Sequence, residues 1–249
     1  MPDIVVAGAA GRMGSRLVAC LHDTPDVRLL AGVGRLGVAV GGDAATALAR
    51  ERVLVEFSVP EASLEHLRLV ARVGARAVIG TTGFSAAQRT EIEGLARQAA
   101  ILVSPNMSVA VNVAFSLLAR MGKALGDDYD VEITETHHRF KKDAPSGTAL
   151  RMAEIVAGAL GRDLARVAVY GRQGLPGERP RQEIAILSAR SGDVVGEHTV
   201  SFGTLGERLE LTHRAHSRDT FARGALRAAR WIAGRPPGLY SMQDVLGLA

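Results

Sequence analysis

The chain contains little cysteine and few aromatic residues. Cys20 is its only cysteine, which excludes an intrachain disulfide and a zinc site built from several thiolates. Aromatic residues make up 4% of the 249 positions, too few for the stacking platforms that bind single-stranded nucleic acid. The N-terminal residues show no basic segment leading into a long apolar run, so we expect no secretory signal and a cytoplasmic location.

Lysine is also scarce, since only three of the 30 basic residues are lysine. The formal net charge is +4, but the arginines are scattered singly and form no basic tail, so we expect no nucleic-acid partner. Two of the three lysines, Lys141 and Lys142, are adjacent. In a chain that otherwise uses arginine, this indicates a need for a compact ammonium that can lose its proton.

One uncharged stretch, residues 98–119, is long enough to cross a bilayer. It contains Pro105, which would break a helix in its first half, and polar residues such as Asn106 and Asn112. We therefore expect a buried strand, a loop and a buried helix here, and no membrane partner.

The first half of the chain alternates short apolar runs with amphipathic stretches. The apolar runs 4–7, 27–33, 53–57, 77–79 and 101–103 predict strands. The stretches between them predict helices, among them a short one at residues 46–50 and a longer one from Ser85 to Ala99. Strands that alternate with helices are typical of a parallel sheet covered by helices on both faces.

The pattern changes after about Met107. The runs 130–134, 183–187, 196–202 and 207–212 alternate polar and apolar residues, which is typical of a sheet with one solvated or interface face. We therefore expect two domains, one formed by residues 1–107 with residues 218–249 returning to it, and one formed by residues 108–217.

A glycine-rich turn follows the first predicted strand and precedes a predicted helix. It reads Gly8-Ala9-Ala10-Gly11-Arg12-Met13-Gly14, a GxxGxxG variant of the dinucleotide-binding fingerprint in the context that this fingerprint requires. Its glycines permit a tight turn and close approach of a pyrophosphate, while the helix N-terminus attracts phosphates. We expect a dinucleotide here, and a tight turn without a ligand is the alternative.

The end of the second predicted strand has no acidic residue to bind ribose hydroxyls. It reads Val33-Gly34-Arg35. Arg35 is a candidate contact for a 2′-phosphate, with a solvated surface arginine as the alternative. We therefore expect NADPH to be accepted at least as well as NADH.

Two further loops follow predicted strands, Gly80-Thr81-Thr82-Gly83 and Ser104-Pro105-Asn106-Met107. Ligands bind at the carboxyl ends of parallel strands, so both loops are candidates for nicotinamide contacts. Each sequence is also ordinary turn chemistry on its own.

The most informative segment is residues 135–149, in which His137 and His138 end a predicted strand and Lys141 follows within four residues. Ser146 can cap the helix that begins there, and the N–H groups of the first helical turn then form a site for a carboxylate or phosphate. These features predict a cationic pocket for a small dianion. A solvated basic loop before a capped helix is the alternative, and we expect no metal because further ligands are lacking at suitable spacing.

The same segment, Glu-x-His-His-Arg-x-Lys-x-Asp-Ala-Pro-Ser-Gly-Thr-Ala, resembles the signature of the 4-hydroxy-tetrahydrodipicolinate (dihydrodipicolinate) reductase family. The resemblance covers nearly the whole chain, including the glycine-rich turn and residues 78–84, 106–109, 192–198 and 242–246. It implies an α/β fold, with a Rossmann-type parallel sheet domain and an α+β substrate and oligomerisation domain that has a mixed or antiparallel sheet.

The resemblance also implies a homotetramer that reduces 4-hydroxy-tetrahydrodipicolinate to tetrahydrodipicolinate with NADPH or NADH, in lysine and diaminopimelate biosynthesis. His137 and Lys141 match the proton-transferring positions, and either can deliver the proton. The positions that match substrate contacts are His138, Gly147 and Thr148. The implied cofactor contacts are Gly8, Ala9, Ala10, Gly11, Arg12, Met13, Gly80, Thr81, Thr82, Ser104, Pro105, Asn106 and Met107. The family often has Glu-Arg where this chain has Gly34-Arg35, so the glutamate contact with NADH is missing and Arg35 is left as the candidate phosphate contact.

Two other hypotheses remain open from the sequence. One is another small-acid dehydrogenase of similar build, such as aspartate or diaminopimelate dehydrogenase, which would lack the His-His-Arg-x-Lys and Pro-Ser-Gly-Thr motifs. The other is a redox sensor without catalytic activity, which would be expected to carry a DNA-binding module or an exposed apolar patch.

Overall fold

The computed structural model describes residues 1–33, 39–40 and 47–248. The chain divides into two compact units, Met1–Val109 with Arg218–Ala249 (unit 1) and Ala110–Ser217 (unit 2). The elements in chain order are β1 (Asp3–Ala7), α1 (Arg12–Leu21), β2 (Arg28–Val33), β3 (Ala39–Val40), β4 (Val53–Glu56), α2 (Pro60–Val73), β5 (Arg76–Ile79), α3 (Ala86–Leu95), β6 (Ala100–Val103), α4 (Val109–Leu125), β7 (Asp130–His137), α5 (Gly147–Ala159), α6 (Leu164–Val167), β8 (Ala168–Val169), β9 (Ile184–Arg190), β10 (Gly196–Thr204), β11 (Glu207–Ala215), α7 (Asp219–Ile232), β12 (Gly238–Tyr240) and α8 (Met242–Leu246).

Unit 1 is built on a seven-stranded sheet in the order β12-β6-β5-β4-β1-β2-β3. All neighbouring strands run parallel except β2 and β3, which pair antiparallel. The central strands are almost wholly apolar because helices cover both faces of the sheet. Leu17 of α1 and Leu226 of α7 belong to the core on one face, while Leu67 of α2 and Ile92 of α3 belong to the core on the other.

The helices of unit 1 begin and end where local chemistry favours it. Pro60 occupies the first turn of α2, where its missing N–H costs nothing, and Gly74 ends that helix in the left-handed conformation (φ 68°). Ser85 and Gln88 form a reciprocal capping box at the start of α3. These boundaries leave the loops after the strands free to form the carboxyl edge of the sheet.

Unit 2 contains a five-stranded sheet in the order β11-β10-β7-β9-β8. It is mixed, because β7 pairs antiparallel with β10 and parallel with β9. Helices α4 and α5 cover one face, where Phe115 and Met152 pack with Ile133 and Phe202. The alternating burial along β7 follows from this one-sided cover.

Helix α4 is apolar enough to form, with the turn that follows it, a 20-residue helical span that passes a length and composition test for a membrane helix. Its side chains Val111, Phe115 and Leu118 are buried in the core of unit 2, so it packs as a core helix. The strand, loop and helix expected over residues 98–119 correspond to β6, the loop after it and α4.

The predicted α/β class, with a Rossmann-type parallel sheet and a second mixed sheet, is confirmed. The helix predicted from Ser85 to Ala99 ends earlier, at Leu95, because the chain must turn before β6 begins. The short elements β3, β8, β12, α6 and α8 were not predicted, since two to five residues carry too little periodicity. The short helix predicted at residues 46–50 lies partly outside the described residues.

Candidate active site

The predicted cofactor loops of unit 1 lie at one edge of its sheet. Strands β6, β5, β4 and β1 are neighbours and run parallel, so their carboxyl ends meet there. The loops Gly8–Met13, Gly80–Thr82 and Ser104–Met107 each follow one of these strands. The structure therefore brings together the three predicted loops, at the edge where open parallel sheets bind ligands.

The glycine-rich turn has the conformation that its sequence predicts. Gly8 adopts a positive φ of 69°, and the Gly11 N–H donates to the Gly8 carbonyl at 2.8 Å. A Cβ built on Gly14 would lie 2.1 Å from the Gly8 oxygen, so only glycine allows α1 to approach β1 this closely. Gly11 is the N-cap of α1, and no side chain accepts a hydrogen bond from the N–H groups of the first turn. A phosphate would fit as the acceptor for these N–H groups.

The other two loops are fixed by their own hydrogen bonds. Ser63 Oγ donates to Thr81 Oγ1 at 2.8 Å, and Ser104 Oγ donates to the Asn106 carbonyl at 2.7 Å. A Cβ on Gly80 would lie 2.2 Å from the Phe57 ring, so a larger residue here would have to displace that ring. Arg35, the candidate 2′-phosphate contact, lies outside the described residues.

A contact between a buried carboxylate and a histidine at the same edge was missed from the sequence. Glu56, the last residue of β4, is fully buried, and its Oε2 lies 2.5 Å from Nδ1 of His66 in α2. Its Oε1 accepts a hydrogen bond from the Ser58 N–H at 2.9 Å. The hydrogen bond with Glu56 raises the pKa of His66. The pair anchors the turn after β4, and no local spacing signals it because the two residues lie on different elements.

In unit 2, the predicted catalytic histidine ends β7. His137 is buried, and its Nδ1 lies 2.6 Å from Oε2 of Glu135, which is also buried. Arg190, at the end of β9, donates to both Glu135 oxygens at 2.9 Å. A buried carboxylate is thus paired with a guanidinium and an imidazole.

These contacts determine the charge of the cluster. Burial alone would raise the pKa of Glu135, but hydrogen bonds from Arg190 and His137 outweigh it and lower that pKa to about 2. Burial lowers the pKa of His137, and the Glu135 carboxylate opposes this effect. His137 therefore lies beside an ionised carboxylate at neutral pH.

The predicted lysine lies in the segment after β7, residues 138–145, which we call the lysine loop. Lys141 Nζ donates to both carboxylate oxygens of Asp143 at 2.9 Å, and the Lys141 N–H donates to the His138 carbonyl at 3.1 Å. The Arg139 N–H donates to the Gly192 carbonyl at 3.1 Å. The loop thus holds an ammonium close in sequence to His137 and in a defined conformation.

The predicted anion site is the start of α5. Ser146 is its N-cap and accepts a hydrogen bond from the Ala149 N–H at 3.2 Å. Gly147 and Thr148 are the first two residues of the helix, where the helix carries partial positive charge. A Cβ on Gly147 would meet nothing within 4 Å, so there is open space beside this turn.

A second buried histidine, His198 of β10, adjoins the same cluster. Its ring lies 5.1 Å from the His137 ring, edge to face, and its Nε2 lies 2.9 Å from Ser146 Oγ. Burial, with a further contribution from His137, lowers the pKa of His198 to about 3. His198 is therefore neutral at physiological pH.

Sequence reasoning did not assign a role to Glu135, Arg190 or His198. Glu135 had a signal, because it lies two residues before His137 and thus on the same face of the strand. The other two reach the site only through the register of the sheet, in which Arg190 pairs with His137 and His198 with Glu135. Among the residues that the structure describes, no cluster of three or more metal-ligating side chains is found.

A dinucleotide-type glycine turn at the carboxyl edge of a parallel sheet, with a separate histidine–lysine site in a second unit, defines a dinucleotide-binding oxidoreductase of the Rossmann type. The chain belongs to the dihydrodipicolinate reductase family, because the family models for the N-terminus and the C-terminus of dihydrodipicolinate reductase match residues 2–107 and 110–246. The family predicted from the sequence is thereby confirmed.

Curated relatives agree over the full length. The chain is 50% identical to a 4-hydroxy-tetrahydrodipicolinate reductase of Hahella chejuensis, with all of both chains covered. It is 48% identical to one of Citrifermentans bemidjiense, again over the whole of both chains.

Solved structures share the fold. A dipicolinate-bound dihydrodipicolinate reductase from Paenisporosarcina sp. TG-14 has a TM-score of 0.71 at 22% identity, covering 98% of each chain. An amine dehydrogenase from Mycobacterium smegmatis has a TM-score of 0.55 at 15% identity, covering 97% of this chain and 95% of its own. A diaminopimelate dehydrogenase of C. glutamicum has a TM-score of 0.52 at 13% identity, covering 98% of this chain and 93% of its own. The likeness to the two dehydrogenases is one of fold and does not extend to their substrates.

Proposed function

We propose that the chain catalyses the NAD(P)H-dependent reduction of 4-hydroxy-tetrahydrodipicolinate to tetrahydrodipicolinate, in the cytoplasmic biosynthesis of lysine and diaminopimelate. The observation that carries this proposal is the grouping in unit 2 of a carboxylate-paired His137, an ammonium in the lysine loop and the N-terminus of α5. The curated relatives, half identical over the whole chain, are named for this reaction.

The substrate is a small dicarboxylate, and the start of α5 is the proposed binding site for one of its carboxylates. Gly147 and Thr148 contribute backbone N–H groups and the helix dipole. His138, the first residue of the lysine loop, is the proposed further contact. The dihydrodipicolinate reductase from Paenisporosarcina sp. binds dipicolinate, a planar ring with two carboxylates, which supports this class of ligand.

Two side chains are proposed to hold the proton that the reduced ring takes up. The substrate loses its 4-hydroxyl as water, and the reduced nicotinamide, when bound, supplies the hydride that C4 of the ring takes up. Lys141 as an ammonium and His137 as an imidazolium are the proposed acids for the proton that must follow. Asp143 orients the ammonium, and Glu135 orients the imidazole.

The proposed cofactor site is the carboxyl edge of the sheet in unit 1. Its proposed contacts are Gly8–Met13, Gly80–Thr82 and Ser104–Met107, and the space beside Gly8 is open, since a Cβ there would meet nothing within 4 Å. Arg35 is the proposed contact for the 2′-phosphate of NADPH. The ratio of kcat/KM for NADPH to that for NADH tests the contact between Arg35 and the 2′-phosphate. A kcat/KM more than about tenfold higher for NADH than for NADPH would contradict this contact.

The proposed assembly is a homotetramer formed through the face of the unit 2 sheet that α4 and α5 do not cover. Polar side chains such as Thr134, Thr199 and Glu210 line a concave part of this face. Sedimentation should give about four times the chain mass of 26.2 kDa. A single species at the chain mass would contradict the tetramer.

The site assignment is tested with His137→Gln and Lys141→Ala. Substrate is generated from aspartate semialdehyde and pyruvate by the upstream synthase, and oxidation of NADPH is followed by absorbance. Each variant should lose about 10²- to 10⁴-fold in kcat, because a positioned acid contributes that much, while NADPH binding without substrate is unchanged.

Lys142→Ala is the matched control, since Lys142 is the exposed neighbour of Lys141. It should retain the kcat of the unsubstituted enzyme. Full activity of both His137→Gln and Lys141→Ala would contradict the assignment.

A further inference from the structure

We propose that Glu135 is a positioning residue, whose single carboxylate fixes the His137 ring, the start of α5 and, through Arg190, the lysine loop. The inference rests on the proposed function for its catalytic consequences. Its structural part concerns only contacts within unit 2.

Four hydrogen-bond contacts join the carboxylate of Glu135 to His137 on its own strand, to Arg190 at the end of β9 and to Ser146 at the start of α5. Oε2 lies 2.6 Å from His137 Nδ1 and accepts from Arg190 Nη1 at 2.9 Å. Oε1 accepts from Arg190 Nη2 at 2.9 Å and from the Ser146 N–H at 3.2 Å. The residue is 2% exposed, so water competes little for these bonds and removing the carboxylate would leave buried donors without a partner.

The contact with His137 determines which ring nitrogen takes part in the reaction. An ionised carboxylate only accepts hydrogen bonds, so Nδ1 of His137 must carry the hydrogen. Nε2 is then the atom that exchanges a proton with a ligand. Gly196, the first residue of the neighbouring strand β10, lies next to this nitrogen, since a Cβ built on it would come within 2.9 Å of Nε2. The glycine therefore keeps space open beside this nitrogen.

The contact with Arg190 extends the effect of the carboxylate to the lysine loop. Arg190 Nη2 also donates to the Asp143 carbonyl at 2.6 Å, and the Asp143 side chain holds Lys141 Nζ. One guanidinium thus joins Glu135 to the residue that orients the ammonium. Both proposed acids, His137 and Lys141, are consequently placed with respect to the same buried group.

The charged and titratable groups that face His137 come from each element around it. They are Glu135 on its own strand, Arg190 on β9, His198 on β10 and Lys141 in the lysine loop. Only Glu135 among these favours the imidazolium form, since the others are cationic or neutral. Replacing the carboxylate with an amide should therefore make His137 a weaker base.

The test combines NMR with a pH profile. In the substrate-free enzyme, long-range ¹H–¹⁵N correlation of the His137 ring should show the Nδ1–H tautomer. Glu135→Gln should lose this preference. The variant should also lower kcat by about 10²-fold, because the His137 ring is misplaced. In the pH profile of kcat/KM, the limb on which activity falls with rising pH should shift to lower pH, because His137 then loses its proton at a lower pH.

Glu132→Gln is the matched control. Glu132 lies on the same strand and is also bonded by two arginines, Arg172 and Arg179, but it does not contact the site. It should leave the His137 tautomer and the pH limb unchanged. Arg190→Lys should keep the tautomer but lower kcat, since a lysine cannot bridge Glu135 and the Asp143 carbonyl as a planar fork does.

An Nε2–H tautomer in the unsubstituted enzyme would overturn the proposal without any variant, even if Glu135→Gln fails to fold. An unchanged tautomer and pH limb in a folded Glu135→Gln would overturn it as well. Failure of the proposed function would give a different result. The enzyme would not reduce the substrate, but the NMR spectrum would still report the contact between Glu135 and His137.

Discussion

A buried histidine in unit 2 makes the protein sensitive to acid. His198 is 4% exposed, and burial lowers its pKa from the ordinary 6.5 to about 3. In the unfolded chain the same imidazole would protonate near pH 6.5. Because its pKa is lower in the folded state, the stabilisation is complete above pH 6.5 and is lost as the pH falls toward 3.

Replacing His198 should reduce this sensitivity. His198→Gln is expected to destabilise the protein at pH 7, by about 1 kcal/mol for the lost contact with Ser146. Between pH 6 and pH 4 its urea midpoint should fall less steeply than that of the unsubstituted chain, in which His198 contributes up to about 1.4 kcal/mol per pH unit. His22→Gln, at an exposed position, is the control, and equal slopes for all three proteins would contradict the account.

Glu135 adds to the acid sensitivity at lower pH. Its pKa falls from 4.5 to about 2 on folding, so its stabilisation is present above pH 4.5 and is lost as the pH falls toward 2.

The sequence contained a signal for the role of Glu135, because this residue lies two positions before His137. The sequence contains no local signal for Arg190 or His198, because strand register depends on the whole sheet.

At the level of elements, the close contact between β1 and α1 forms the cofactor turn. The strand was predicted from four consecutive apolar residues and the helix from its position after the glycines, and both lie where they were expected. The shorter elements β3, β8 and β12 depend on pairing with a neighbour, which a local pattern does not encode.

Gly14→Ala should separate α1 from β1. The added Cβ would collide with the Gly8 carbonyl oxygen and with Ala9 Cα, 2.1 and 2.6 Å away, both backbone atoms that cannot move aside easily. We expect a loss of about 1–3 kcal/mol in the free energy of unfolding, and a weaker affinity for NADPH by more than about tenfold. Calorimetry and NADPH fluorescence titration measure the two effects.

Gly94→Ala serves as the helix control for that substitution. Gly94 is exposed in α3, and a Cβ there would meet nothing within 4 Å. Alanine should stabilise the helix by about 0.5–1 kcal/mol and leave NADPH affinity unchanged. Equal NADPH affinity in the two variants would contradict the role given to Gly14.

At the scale of the whole molecule, many of the arginines form ion pairs with carboxylates of their own unit. Arg172 and Arg179 bond to Glu132, and Arg16 and Arg28 bond to aspartates, so much of the positive charge is neutralised within each unit. Lysine is kept where the proposed chemistry needs a titratable ammonium. The scattered arginines had argued against a nucleic-acid partner from the sequence alone, whereas the residues that orient His137 could be identified only from the register of the sheet.

The central claim is that this chain reduces 4-hydroxy-tetrahydrodipicolinate with a reduced nicotinamide. The most direct measurement is the mass of the product formed by the purified enzyme from synthase-generated substrate and NADPH that is fully deuterated at C4 of its nicotinamide. Tetrahydrodipicolinate heavier by one deuterium is the predicted result, and His137→Gln should form it far more slowly. Unchanged substrate, or a product that carries no deuterium, would contradict the claim.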